Sequence, residues 1–106
     1  MPSSFEIEIA PQGYLTLRQV KDKRIRNEIG KVIDGLARGP GIQGQALVGP
    51  LEGLRSIKAA RGRYRVLYRV DLEHRLVSVL LVGERKAGQE QDVYALAQRL
   101  LRTLLY

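Results

Sequence analysis

The 106-residue sequence contains no cysteine and only one histidine. A chain without cysteine can form neither a disulfide framework nor a thiolate metal site, and a single histidine cannot make a histidine-rich site. Long apolar runs are also missing, so no segment is predicted to span a bilayer. The first residues lack the basic and apolar regions of a signal peptide. We therefore expect a cytoplasmic protein that needs neither a metal nor another cofactor.

Negative charge is scarce relative to positive charge. The chain carries 18 lysines and arginines against 11 aspartates and glutamates, which gives a formal net charge of +7 and a pI of about 10.1. A small domain this basic has the electrostatic character of a nucleic-acid binder. The same charge could serve an acidic protein or an anionic membrane. Many of the bases fall in a predicted sheet rather than opposite an apolar helix face, which argues against a membrane.

The most informative stretch is residues 62–70, which predicts a β-strand. Aromatic and β-branched residues alternate there with polar ones, the pattern of a half-buried strand. One face carries Tyr64, Val66, Tyr68 and Val70, and the other carries Arg63, Arg65, Leu67 and Arg69. Guanidinium groups are permanently charged and suit bidentate phosphate contacts. The strand therefore favours a sheet that meets a polyanion, although the arginines could simply keep an exposed face soluble.

The length of the chain predicts one domain, residues 1–106. Apolar periodicity and turn residues predict the other elements: a strand over 5–9, a short helix over 14–20, a helix from 23 capped by the glycines of 39–41, a loop over 39–53 whose residues 43–47 face solvent, strands over 54–60 and 76–82, and a helix over 93–104. The order β-α-α-β-β-β-α indicates an α+β fold. We expect the last three strands to form an antiparallel meander whose one face the helices cover.

Three motifs resemble the RelE/ParE toxin superfamily of bacterial toxin–antitoxin systems: LEGLRSIK at 51–58, GRYRVLY at 62–68, and VGERK at 82–86 followed by DVY at 92–94. The resemblance runs from residue 5 to the C-terminus. It implies two N-terminal helices and a C-terminal helix packed on a twisted, mainly antiparallel sheet. In RelE-like members it implies a ribosome-dependent, metal-independent endoribonuclease that cleaves mRNA in the A site. ParE-like members inhibit DNA gyrase instead, and an inactive member would only bind its antitoxin and act in autoregulation.

The resemblance to RelE-like nucleases also implies a set of catalytic residues: Lys58, Arg65, Arg85 and Tyr94. A lysine expected two positions before Lys58 is Ser56 here, and the segment between Arg85 and Tyr94 is longer than in the type member. Cleavage by the 2′-hydroxyl needs a base, an acid and stabilisation of the charge on the phosphorane, and arginines suit the last task. Tyr94 is the candidate base and Lys58 or Arg85 a charge stabiliser, while the acid stays open.

A second set of basic residues is predicted to bind nucleic acid: Arg55, Arg61, Arg63, Arg69 and Lys86. Each catalytic candidate also has a structural alternative. Arg65 could pair with Glu6 or Glu8, Lys58 could be solvated, and Tyr94 could pack its ring on the sheet and show its hydroxyl to water. Glu84 could act as a base, but we interpret it as an exposed loop charge. The resemblance implies as partners a cognate antitoxin, mRNA and the 70S ribosome, with operator DNA reached only through the antitoxin and no membrane.

Overall fold

The computed structural model describes residues 4–105, and side chains only as far as residue 103. It contains helices α1 (Pro11–Arg18), α2 (Lys23–Gly35) and α3 (Val93–Leu105), and strands β1 (Glu6–Ile9), β2 (Gln45–Ala46), β3 (Arg55–Ala59), β4 (Tyr64–Asp71) and β5 (Leu76–Glu84). The strands form one sheet in the order β1-β5-β4-β3-β2. All neighbours are antiparallel except β1, which is parallel to β5. The predicted α+β fold and its meander of β3, β4 and β5 are confirmed.

The larger core lies between one face of the sheet and helices α1 and α2. Helix α2 contributes Ile29 and Ile33, which pack with the apolar residues that alternate along β4 and β5. Its first turn is capped by Asp22, whose carboxylate accepts hydrogen bonds from the backbone N–H groups of Arg24 and Ile25. Asp at this position satisfies helix donors that otherwise lack a partner. The predicted apolar face of the arginine-rich strand therefore does face a core.

The prediction that the helices cover one face is wrong, because α3 packs on the opposite face. A second cluster there joins Leu67 and Leu81 of the sheet to Val93 and Ala97 of α3. Leu67 pairs with Leu81 and Tyr68 with Val79, which leaves Leu80 as an extra residue in a β-bulge. On the arginine face Leu67 thus lies between Arg65 and Arg69, and α3 packs on its apolar middle.

The segment between α2 and β3 is more ordered than the predicted loop. Helix α2 ends at Gly35, with Leu36 as its C-cap, and not at Gly39. The segment then contains β2 and a 3-10 turn at Gly49–Leu51. A strand of two residues carries too little periodicity for detection in the sequence. The two residues of β2 are exposed, which matches the prediction that this part of the loop faces solvent.

Two further features complete the fold. Leu104, predicted as the last apolar residue of the C-terminal helix, has its side chain outside the described part. No helix within residues 4–105 combines the length and the apolar character needed to cross a membrane.

Candidate active site

The four predicted catalytic residues line one open groove of about 550 Å³. The groove lies on the same sheet face as α3, at the end of that face where Lys58 and Arg65 pair. Its lining consists of Gly44, Gln45, Ser56, Ile57, Lys58, Arg65, Arg85 and Tyr94. Three of these side chains are cationic and none is acidic. Residues that are 36 positions apart in the sequence, from Lys58 to Tyr94, are brought together here by the sheet and by the start of α3.

Lys58 and Arg65 form the floor of the groove. They are direct cross-strand partners on β3 and β4, so their side chains leave the same face of the sheet side by side. Arg65 is half-buried, and its guanidinium donates to the backbone carbonyl oxygens of Gly62 at 2.5 Å and Tyr64 at 3.3 Å. Lys58 is exposed. Arg65 thus takes backbone partners in the turn before β4 and at its first residue rather than the carboxylates of β1.

Arg85 and Tyr94 form one wall of the groove. The guanidinium carbon of Arg85 lies 4.9 Å from the centre of the Tyr94 ring, within the range of a cation–π contact. The Tyr94 hydroxyl lies 2.8 Å from Oγ of Ser56, and either group can donate the hydrogen bond. Ser56, which replaces the expected lysine, is buried and contacts the hydroxyl of the candidate base.

Asp92 lies behind this wall and was not predicted as a site residue. Its carboxylate accepts hydrogen bonds from Nη1 of Arg85 at 2.6 Å and from the backbone N–H groups of Lys86 at 2.5 Å and Tyr94 at 3.2 Å. Burial alone would raise the pKa of Asp92, but these hydrogen bonds and the charge of Arg85 bring that pKa below its ordinary value. Asp92 is therefore an ionised partner of Arg85.

Most of the chain matches a known protein family. Residues 11–87 match a family model described as the ParE toxin of the type II toxin–antitoxin system, parDE. The chain belongs to the RelE/ParE family of type II toxins. This confirms the resemblance that the three sequence motifs carry. No curated protein sequence matches the chain significantly.

One solved structure supports the same group, and two others share the fold. The toxin–antitoxin complex RelBE2 of Mycobacterium tuberculosis contains a chain that is 30% identical, with 80% of the toxin and 95% of that chain covered and a TM-score of 0.69. The free E. coli toxin RelE, in a mutant form, is 20% identical over 93% of the toxin and 97% of its own chain, with a TM-score of 0.70. A chain of the chromosomal ParDE system of P. aeruginosa is 13% identical over 77% of the toxin and 97% of its own chain, with a TM-score of 0.63. The last two likenesses concern the fold alone.

The opposite wall of the groove is a loop that the sequence did not associate with the site. Gly44 has a positive φ of 65°, and a Cβ there would lie 2.5 Å from the carbonyl oxygen of Ser56. Only glycine permits this close approach. The buried Tyr68 hydroxyl lies 2.9 Å from the carbonyl oxygen of Pro40 and 2.8 Å from that of Gln43, which ties the loop to the sheet. The glycine-rich composition was the only signal for this wall.

None of the five residues predicted to bind nucleic acid is among those that line the groove. Arg55 uses its guanidinium to hold the backbone carbonyl oxygens of Gln43 and Gly44. Arg63 lies 3.6 Å and Lys86 3.8 Å from carboxylate oxygens of Glu84. The other two, Arg61 and Arg69, are exposed on either side of the groove residue Arg65 in the sequence. Their contacts with RNA stay predictions.

Glu84 does not reach the groove. It belongs to a different cleft, which Tyr64 and Lys86 also line. Its carboxylate is paired with two basic side chains, as the preceding distances show. Glu84 is therefore not placed to act as a base in the groove, but it is the half-buried last residue of β5 and not the exposed loop charge that we interpreted from the sequence.

Proposed function

We propose that this toxin is a ribosome-dependent endoribonuclease that cleaves mRNA in the A site by attack of the 2′-hydroxyl on the adjacent phosphorus. The observation that carries the proposal is the groove itself, whose lining combines Lys58, Arg65 and Arg85 with a tyrosine and contains no acidic residue. A groove with three cations and no carboxylate favours a phosphodiester over a neutral or cationic ligand.

The cations would act on the charge that develops on the phosphorane. Arg65 is held by backbone carbonyl oxygens and Arg85 by the Asp92 carboxylate, so both guanidinium groups are oriented before RNA arrives. Fixed donors aimed at developing charge are worth about 3–4 kcal/mol each in other enzymes. Lys58, which is exposed beside Arg65, adds a mobile positive charge to the same phosphate site.

Tyr94 would take the proton from the 2′-hydroxyl. Tyr94 and Ser56 both line the groove, and the hydrogen bond between their hydroxyl groups fixes the direction of the phenol. General bases contribute about 10²- to 10⁴-fold to the rate when they are within hydrogen-bond reach of the proton. We assign no acid for the leaving 5′-oxygen.

A gyrase inhibitor is the second candidate function. Two observations favour it: the matched family model is described as a ParE toxin, and Ser56 stands where a RelE-like nuclease is expected to have a lysine. A ParE-like toxin would bind DNA gyrase and would not need the groove for chemistry. An inactive member would bind only its antitoxin.

Induction of the toxin in a bacterial host tests these functions against one another. The nuclease predicts growth arrest, with cuts at codon positions of translated mRNA that primer extension detects, and an unchanged plasmid supercoiling. Growth arrest with intact mRNA and lost supercoiling would favour the gyrase inhibitor. Normal growth would favour an inactive member.

Arg85→Ala should slow cleavage about 100-fold or more. Arg63→Ala, which removes an arginine outside the groove, is the matched control and should leave the chemical step almost unchanged.

The proposed partners follow from the same activity. The complex of M. tuberculosis contains a toxin and its antitoxin, which supports a cognate antitoxin as the natural inhibitor. Translated mRNA and the 70S ribosome would be the targets, in the cytoplasm. Operator DNA would be bound through the antitoxin.

A further inference from the structure

Asp92 bridges the end of β5 and the start of α3. One carboxylate oxygen accepts from Nη1 of Arg85 and from the backbone N–H of Lys86, and the other accepts from the backbone N–H of Tyr94. Its backbone carbonyl oxygen accepts the first helical hydrogen bond, from Leu96. Asp92 is 4% exposed. One buried carboxylate is therefore connected to both residues that form the catalytic wall.

The chain contains a second aspartate in the same helical position, which shows what capping alone requires. Asp22 precedes α2, and its side chain accepts from the backbone N–H two residues later, as that of Asp92 does. Its carbonyl oxygen also accepts from the residue four positions on, Arg26. Asp22, however, is exposed and has no arginine bonded to its carboxylate among the described residues. The burial and the pairing with Arg85 at Asp92 exceed what a helix cap needs.

The surrounding packing fixes the distance between the two elements that Asp92 joins. A Cβ at Gly83 would lie 3.0 Å from Cγ2 of Val93, so the first residue of α3 rests directly on β5. The backbone N–H of Arg85 donates to the carbonyl oxygen of Arg63 at 2.8 Å, which fixes the base of its side chain. The Arg85 side chain is 36% exposed, and a free arginine side chain has many rotamers. The Asp92 carboxylate is the contact that selects one of them.

We propose that Asp92 is a positioning residue that orients Arg85 across the Tyr94 ring for the cleavage reaction. The inference rests on the proposed ribonuclease function. Asp92 is not among the residues that line the groove and acts through Arg85. Without the charge of Asp92, the Arg85 side chain is still present but can rotate away from the phosphate site. A displacement of about 1 Å at a catalytic group can reduce a rate by about 100-fold.

Asp92→Asn is the variant that separates positioning from capping. Asparagine caps helices about as well as aspartate, so α3 keeps its cap while Arg85 loses an ionic partner. The matched control is Asp22→Asn, the same substitution at the other capping aspartate. Cleavage is measured in single-turnover reactions with saturating toxin on programmed ribosomes, together with ribosome affinity and the unfolding temperature. Both substitutions are also made in an Arg85→Ala background.

We expect Asp92→Asn to slow cleavage about tenfold or more at unchanged ribosome affinity, and Asp22→Asn to leave the rate within about twofold. In the Arg85→Ala background, Asp92→Asn should have almost no further effect on the rate, because the group through which it acts is gone. A merely structural role predicts a lower unfolding temperature with a normal rate per folded molecule. Equal rate losses with and without Arg85 would overturn the proposal.

A readout independent of cleavage separates this inference from the proposed function. In NMR spectra at low temperature, a guanidinium held by a carboxylate gives separate Nη resonances, and these should merge for Arg85 in Asp92→Asn but not in Asp22→Asn. If the wild-type toxin does not cleave translated mRNA, the proposed function fails and this spectrum still decides the orientation of Arg85. Identical Arg85 resonances in the wild type and in Asp92→Asn overturn the positioning role in either case.

Discussion

Tyr94 is held at both ends of its side chain. Its backbone N–H donates to Asp92, its ring lies 4.9 Å from the Arg85 guanidinium carbon, and its hydroxyl lies 2.8 Å from Oγ of Ser56. The ring also packs against the smaller core beneath α3. Tyr94 therefore packs its ring as the alternative interpretation predicts, and its hydroxyl makes a hydrogen bond as well. Only the hydroxyl can serve the proposed chemistry.

Tyr94→Phe removes that hydroxyl and keeps the ring. We expect single-turnover cleavage to fall about 100-fold or more if the phenol is the base, with ribosome binding and the unfolding temperature close to those of the wild type. Tyr14→Phe is the matched control, because Tyr14 also carries an arginine over its ring, that of Arg18 at 5.6 Å, but lies on α1 away from the groove. Cleavage by Tyr94→Phe at the wild-type rate would assign the proton transfer to another group.

Among individual residues, the sequence predicted those that a family resemblance could identify. It missed residues whose role depends on contacts between distant parts of the chain. The four catalytic candidates, from Lys58 to Tyr94, line one groove as a set. Asp92 appeared in the sequence only as part of the DVY motif at 92–94, because its bond to Arg85 depends on how α3 returns to β5. The role of Gly44 depends equally on a distant backbone atom, the carbonyl oxygen of Ser56. Such contacts carry no local pattern.

At the scale of elements, strand β4 serves two cores. Its alternation predicted one apolar face correctly, and the sheet order of β3, β4 and β5 followed from short turns. The position of α3 could not be predicted in this way. An amphipathic pattern indicates that a helix has an apolar face, but not on which side of a sheet that face packs. The signal for the second core was Leu67, a single apolar residue among the arginines of the other face.

Leu67→Ala should weaken the attachment of α3. Leu67 is fully buried, and an apolar cavity of about 90 Å³ already lies between it and α3. Truncation of a buried leucine typically costs about 2–5 kcal/mol of stability, and more where the site cannot collapse. Urea denaturation measures the change, with Leu72→Ala as the control, because Leu72 is 72% exposed and its loss should change stability by less than about 0.5 kcal/mol. Equal losses for the two variants would contradict the packing described for α3.

At the scale of the whole molecule, the toxin is a strongly basic domain whose charge is distributed unevenly. The formal net charge is +7, and the groove concentrates three cations without an acidic residue in its lining. Elsewhere several bases are paired, as Arg63 and Lys86 are with Glu84. The groove is therefore the surface where an inhibitor gains most from acidic residues, and the same surface would meet the phosphates of mRNA. One patch would thus serve both partners.

This shared use predicts how the antitoxin associates. If acidic residues of the antitoxin lie across the groove, the association rate constant should fall about tenfold or more between low and high salt, while the dissociation rate constant changes little. Stopped-flow mixing of toxin and antitoxin measures both constants.

Lys58→Gln should reduce the salt dependence of association. Lys31→Gln removes the same charge from an exposed position on α2 and is the control for net charge. Association that is indifferent to salt, or equal effects of the two substitutions, would show that the groove does not steer the antitoxin. A larger effect at Lys58 would place the inhibitor over the residues proposed to cut RNA, so that silencing and catalysis compete for one set of charges.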